Sequence, residues 1–184
     1  MAELRTNITV KGRFIGGALF EPNEDGKHSA CIVLDDGEDS KIEDVRDNAI
    51  KNKWGNKVPP GLTDWTVREG DDEEYEASFG NMFINPKSSG KKAPKTVVKV
   101  DGVIEAVDDT VIYPGCYVAV SVNAYCMDAN KEKKMKACVC LGLGNVMFLK
   151  DGERLGGGSN PEDDFEDFES VVDNDEGDIW GEVA

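Results

Sequence analysis

Histidine is almost missing from this chain: His28 stands alone among 184 residues. Any Ser-His-Asp or Cys-His arrangement would have to use it, and no motif surrounds it. Catalysis is therefore disfavoured and no catalytic residue is assigned. Phosphate cradles of the common kinds are missing too. No GxxxxGK[ST] run occurs, and the stretch opened by Gly142 and Gly144 has Met147 where GxGxxG needs its last glycine. Five cysteines (Cys31, Cys116, Cys126, Cys138, Cys140) are an odd number without CxxC spacing. They read as reduced, strand-packed small hydrophobes rather than a disulfide framework or zinc site. The acidic knot at Asp35, Asp36, Glu38 and Asp39 lacks EF-hand spacing. No metal or cofactor is expected. The first residues contain Glu3, Arg5, Lys11 and Arg13 and no apolar leader core, and no window approaches a membrane span. The expectation is a soluble, cytoplasmic protein with no membrane partner.

Basic residues are also scarce, 21 against 37 acidic, for a net charge of -16. The imbalance is local. Residues 161–184 carry eleven carboxylates and no Lys or Arg, together with Phe165, Phe168, Ile179 and Trp180. Such one-sided charge cannot collapse into a core, so residues 162–184 are expected to form a disordered acidic tail. Gly156 to Pro161 supplies its linker. A tail that only solubilises would not need the four apolar residues, which suggest that something recognises it. Without the tail's eleven carboxylates the body keeps 26 acidic and 21 basic side chains, a net of only -5. Its lysines cluster, at Lys87, Lys91, Lys92, Lys95 and Lys99, and again at Lys131, Lys133, Lys134 and Lys136. Phosphate binding responds to that local field rather than to the total.

The body, residues 1–155, has the size of one domain. Its apolar residues mostly recur at the period of strands. Ile8 to Leu19 reads as a strand with a bend at Gly16 and Gly17, and Lys27 to Leu34 as its hairpin partner. Ser40 followed by Glu43 has the form of a capping box, and Ile42, Val45, Ala49 and Ile50 fall at helical spacing, which predicts a helix from Ser40 to about Lys53. Tyr75 to Asn85 reads as a strand stopped by Pro86, and Lys87 to Lys95 as an exposed basic loop. Cys116 to Cys126 is the clearest strand: Val118, Val120, Val122 and Ala124 form a core face, and Tyr117 and Tyr125 mark the ends of the polar one. Those tyrosines either stack on bases or cover the sheet with a wet tip. A lysine loop from Asp128 to Lys136 leads to a last strand, Ala137 to Leu149, curved at Gly142 and Gly144.

Short curved strands, one helix, lysine loops and aromatics on a polar face resemble an OB-fold, a small β-barrel that binds single strands by a basic groove and stacking. The expected class is mainly β, an OB-fold-like barrel with one short helix. Three segments sharpen the likeness: Tyr113-Pro114-Gly115-Cys116-Tyr117-Val118, Leu143-Gly144-Asn145-Val146 and Lys150-Asp151-Gly152-Glu153-Arg154-Leu155-Gly156-Gly157. They resemble a family of tailed-phage single-stranded-DNA-binding proteins long known only as a domain of unknown function. Lys150 departs from the arginine usual there. The resemblance implies sequence-independent binding of single-stranded DNA in phage replication, recombination or repair, inside the host cytoplasm. Phosphate contacts are expected from Lys87, Lys91, Lys92, Lys95, Lys131, Lys133, Lys134 and Lys136. Stacking is expected from Tyr117 and Tyr125, then Tyr75, Phe79 and Trp65, with Phe79 the first to be lost to the core. The tail would compete with DNA for the groove and recruit replication or recombination proteins through Phe165, Phe168, Ile179 and Trp180. Self-association stays open. The competing reading is an acidic protein-protein adaptor or DNA mimic that binds no nucleic acid.

Overall fold

Alternation with a period of two sends Val10 and Phe14 inward and Lys11 and Arg13 outward along the first strand, β1 (Asn7–Gly16). The computed structural model describes residues 2–70, 78, 80–88, 93–155 and 167, and every structural statement refers to those. After β1 come β2 (His28–Ser29), β3 (Cys31–Leu34), helix α1 (Glu38–Trp54), β4 (Thr63–Asp64), β5 (Arg68–Glu69), β6 (Met82–Ile84) and β7 (Lys87–Ser88). Then follow β8 (Thr96–Val100), β9 (Val103–Ala106), β10 (Tyr117–Met127) and β11 (Cys138–Lys150).

Strand β1 lies antiparallel between β3 and β10, and β10 pairs antiparallel with β11. His28 faces Ser88 across β2 and β7, and Ile32 faces Ile84 across β3 and β6. Both pairings keep one register. They are two halves of a single ladder, broken where Pro86 has no N–H to give, with the Ala30 amide donating instead to the Pro86 carbonyl at 3.2 Å. Strand β7 then meets β11 in parallel, Lys87 opposite Gly142. Taking each broken ladder strand as one, the order round the sheet is first, second, third, fifth, fourth and back to first, the order of an OB-fold barrel. The step from third to fifth is a single residue pair, so the sheet curls round without fully closing.

The interior is filled by Val10, Phe14, Ile32, Ile84, Val118, Val120, Val122, Leu141, Leu143 and Val146. Helix α1 adds Ile42, Val45 and Ala49, one face of a 3.6 repeat. The helix starts earlier than the capping box predicts. Its N-cap is Gly37 with φ 81°, without a side-chain cap. The Ser40 hydroxyl donates to the Gly37 carbonyl, which removes it as a cap. Glu38 is buried instead; its carboxylate accepts the Lys11 amide at 2.9 Å and pairs with Lys41 at 2.7 Å.

Three further expectations change. The strand expected over Tyr75 to Asn85 is seen as the short β6, with residues 71–77 and 79 outside the described ones. Lys87 and Ser88 belong to a strand rather than to a loop. The β8–β9 hairpin was not foreseen, although Asp101-Gly102, at φ 49° and 80°, is the dipeptide a tight hairpin turn asks for. The glycines of β11 do mark irregularity: the pairing with β10 shifts register between Val120 and Val122, and a Cβ on Gly144 would strike the Ser121 hydroxyl.

Two of the sequence segments that carry the family likeness pack against each other. The Tyr113 hydroxyl donates to Asp151 at 2.7 Å, Arg154 covers the Tyr113 ring at 4.4 Å, and the Leu155 amide donates to the Pro114 carbonyl at 2.9 Å. Gly115, at φ 114°, lies so close that a Cβ there would collide with the Glu153 carbonyl. This clasp ties the chain leaving β11 to the turn entering β10.

Candidate functional site

The outward faces of β6 and β7, β11 and β10 form a continuous surface at one end of the barrel. Along the first of these the two-residue period places Phe83, Asn85 and Lys87 on one side, opposite the core residue Ile84. Cys140 of β11 and Tyr125 of β10 are direct register partners beside them. A cleft of about 440 Å³ lies over this floor, lined by Lys27, Trp65, Arg68, Asn85, Lys87, Tyr125, Met127, Cys140 and Leu141. None of these residues is acidic, and three are cationic.

The wall is built by the arm after the helix. Strand β4 pairs in parallel with β11, and the Trp65 amide donates to the Val139 carbonyl at 2.9 Å, which fixes the indole beside the floor. Asp64 turns the chain by accepting from both the amide and the hydroxyl of Thr66, and Arg46 of α1 holds the same carboxylate at 3.0 Å. Trp65 is 53% exposed, a large apolar ring held open to solvent. Arg68 lies 4.9 Å from the Phe83 ring centre and 5.9 Å from that of Trp65. A guanidinium between two rings is a stacking surface as well as a charge.

The helix anchors the opposite rim too. Lys53 pairs with Asp128 at 2.9 Å and the Trp54 indole donates to the same residue at 3.2 Å. These contacts, the Lys53 hydrogen bond first, hold the Asp128 carboxyl below its usual range. Asp128 opens the loop that carries Lys131, Lys133, Lys134 and Lys136, all exposed. Met127 before this loop and Cys140 after it line the cleft, so the lysines stand at its end. The Cys140 thiol adds no negative charge there. Burial, then the neighbouring Cys138 thiol 3.7 Å away, pushes Cys140 up to about 12. Burial likewise raises Tyr125 and keeps its phenol neutral.

The structure thus brings together Trp65, Tyr125 and Lys87 from the expected set, with the 131–136 lysines at the edge. Lys95 lies further along β11, its amide donating to the Asn145 side chain at 3.3 Å. Tyr117 lies eight residues from Tyr125, about 26 Å at the rise of a strand. Its ring carries Lys150 at 4.6 Å and Arg13 at 5.9 Å. It is not part of the cleft. Tyr75, Phe79, Lys91 and Lys92, and the tail residues Phe165, Phe168, Ile179 and Trp180, lie outside the described residues. Lys27, Arg68, Asn85, Met127 and Cys140 were missed. Of these only Arg68 left a signal in sequence, a cation three residues after an aromatic. His28 is buried, its Nδ1 donating to the Leu19 carbonyl at 3.0 Å, a structural role.

Residues 8–178 match the model of a family described as the ssDNA-binding protein of Enterobacter phage Enc34. Protein p50 of Acyrthosiphon pisum secondary endosymbiont phage 1 is 28% identical over 167 residues, 82% of this chain and 86% of that protein. Among solved structures, the single-stranded DNA-binding protein from bacteriophage Enc34 superposes with a TM-score of 0.63 at 18% identity, over 88% of this chain and 90% of that one. The same phage protein in complex with ssDNA gives 0.60 at 21% identity, over 82% and 90%. Gp2.5, a single-stranded DNA-binding protein encoded by bacteriophage T7, gives 0.58 at 19% identity, over 93% and 97%. At these identities the structural likeness establishes a shared fold.

Proposed function

Because the chain belongs to the family of phage single-stranded-DNA-binding proteins represented by that of phage Enc34, we propose that it binds single-stranded DNA in the cleft between Trp65 and Tyr125. The observation that carries this reading is the cleft itself: exposed aromatic surface, three cations and no carboxylate among its described lining residues, on a chain whose net charge is -16. An adaptor or DNA mimic would have no use for such a surface. Bases stack on Trp65 and Tyr125, and Lys27, Arg68 and Lys87 meet the phosphates, joined by Lys131, Lys133, Lys134 and Lys136 at the loop. Binding of this kind is indifferent to sequence at most positions, since every base has a stacking face.

Titration with an unstructured oligonucleotide at two salt concentrations tests the reading. Strong binding that weakens with salt is the expected result; no binding at low salt favours the adaptor. Changing Lys131, Lys133, Lys134 and Lys136 together to glutamine reduces the magnitude of the salt slope by up to about 3, given roughly 0.7 per phosphate contact on a single strand.

The body, residues 1–155, is the binding unit, and the acidic tail is a separate part joined by the 156–161 linker. In replication, recombination or repair the tail occupies the basic surface when DNA is absent and, once displaced, recruits partner proteins through Phe165, Phe168, Ile179 and Trp180. Its eleven carboxylates and four apolar residues support both roles. Truncation at about Gly158 is expected to raise DNA affinity at low salt, where tail and phosphate compete most strongly. An unchanged or lowered affinity would remove competition from the scheme.

A further inference from the structure

The floor of the cleft holds an unused acceptor. The Oδ1 atom of Asn85 is shut away from solvent and has no hydrogen-bond partner among the described residues. Most buried side-chain carbonyls are paired, and one that is not marks a place where a water or ligand donor belongs. Asn85 reaches this position because Pro86 breaks the ladder beside it, so this part of the strand is not committed to continuous pairing. Its side chain faces the same side as Lys87 and lines the cleft with it. The amide torsion is broad and nearly two-fold, so rotation about it turns the carbonyl from its enclosed position toward a donor entering the cleft.

The remaining polar lining mostly donates, although the Tyr125 hydroxyl can accept as well. Lys27, Arg68, Lys87 and the Trp65 indole can only donate. Asn85 has the only side-chain carbonyl among the described lining residues. A base that offers carbonyl oxygens is met by the cations. A base that offers an exocyclic amino group needs an acceptor, and the asparagine amide has the geometry to take the adenine N6 amino group while donating back to its ring nitrogen. Cytosine presents a comparable pair at N4 and N3. Thymine has only a recessed N3–H between two carbonyls, so it depends on Asn85 least.

We infer that Asn85 reads the edge of one nucleobase in the cleft, accepting a hydrogen bond from the amino group of adenine or cytosine. The inference rests on the single-stranded-DNA reading above and adds one base-sensitive position to an otherwise sequence-tolerant surface.

The test uses the full-length protein and equal-length oligo-dA, oligo-dC and oligo-dT, with anisotropy measured for the wild type and for Asn85→Leu. The variant should lose about fivefold or more in affinity for dA and dC and less than about twofold for dT. An independent arm leaves the protein unchanged: oligonucleotides with purine in place of adenine lack the N6 amino group and should bind the wild type about fivefold more weakly than oligo-dA. Equal losses on all three homopolymers, or equal binding of purine and adenine, would overturn the base-reading role while leaving DNA binding in place. If the wild type binds none of the three, the DNA-binding reading itself fails and this proposal goes with it.

Discussion

Replacing Trp65 by alanine lowers the affinity for single-stranded DNA by about fivefold to 150-fold at fixed salt, the range that a lost base–aromatic stack of about 1–3 kcal/mol corresponds to. Trp65 is the largest exposed ring on the cleft, and its position is fixed from three sides: the Val139 carbonyl holds its amide, Arg46 and Asp64 hold the turn before it, and Arg68 approaches the ring. The substitution removes surface that is mostly in water, so thermal stability should move little. The slope of affinity against salt should stay nearly the same, because no cation is removed. Trp65→Phe should recover much of the loss. A Trp65→Ala protein that keeps full affinity would move the stacking away from this cleft.

The other large effect concerns stability. Gly115→Ala is expected to cost about 2–4 kcal/mol, which for a chain of this size lowers the melting temperature by roughly 4–16 °C. Two independent penalties combine at that position. The backbone sits at φ 114°, where a side chain is strained, and a Cβ would drive into the Glu153 carbonyl. Relief requires the chain after β11 to move away, taking with it the Tyr113–Asp151 hydrogen bond and the Arg154 stack. Gly26→Ala is the control. It also has positive φ, at 71°, but nothing lies within 4 Å of the added Cβ, so it should cost only the backbone strain. Calorimetry on the two variants separates conformation from collision.

Much of the barrel could be read in the chain because a half-buried strand repeats every two residues. Val10 to Phe14 follow that rule along their whole length, Val118 to Ala124 follow it except at the buried Ala119, and the bend at Gly16 was equally plain. The helix start was misread for a definite reason. Ser40 and Glu43 match a capping pattern, but Glu38 has a tertiary partner in the Lys11 amide, and that contact sets the first turn. Local chemistry lost to a long-range bond. The cleft was legible only in part. Trp65 and Tyr125 stand out as aromatics on polar stretches, whereas Asn85 gains its meaning from a broken ladder and from neighbours up to about sixty residues away in sequence. Tyr117 looked equivalent to Tyr125 because a strand pattern gives the face of a residue and not which end of the strand meets the cleft. The family segments around Tyr113 and Gly152 were the most specific part of the sequence, yet they build the clasp and not the cleft wall.

The sheet is joined between β7 and β11 by one pairing, Lys87 with Gly142. That junction is the barrel's weakest seam, and it runs along the floor of the cleft. A nucleic-acid strand lying from Lys87 across to Tyr125 would bridge it like a stitch, supplying from outside the cross-strand ties that a single pairing lacks. Occupancy and barrel integrity would then rise together by mass action, and the empty protein would breathe first at the place where its ligand enters.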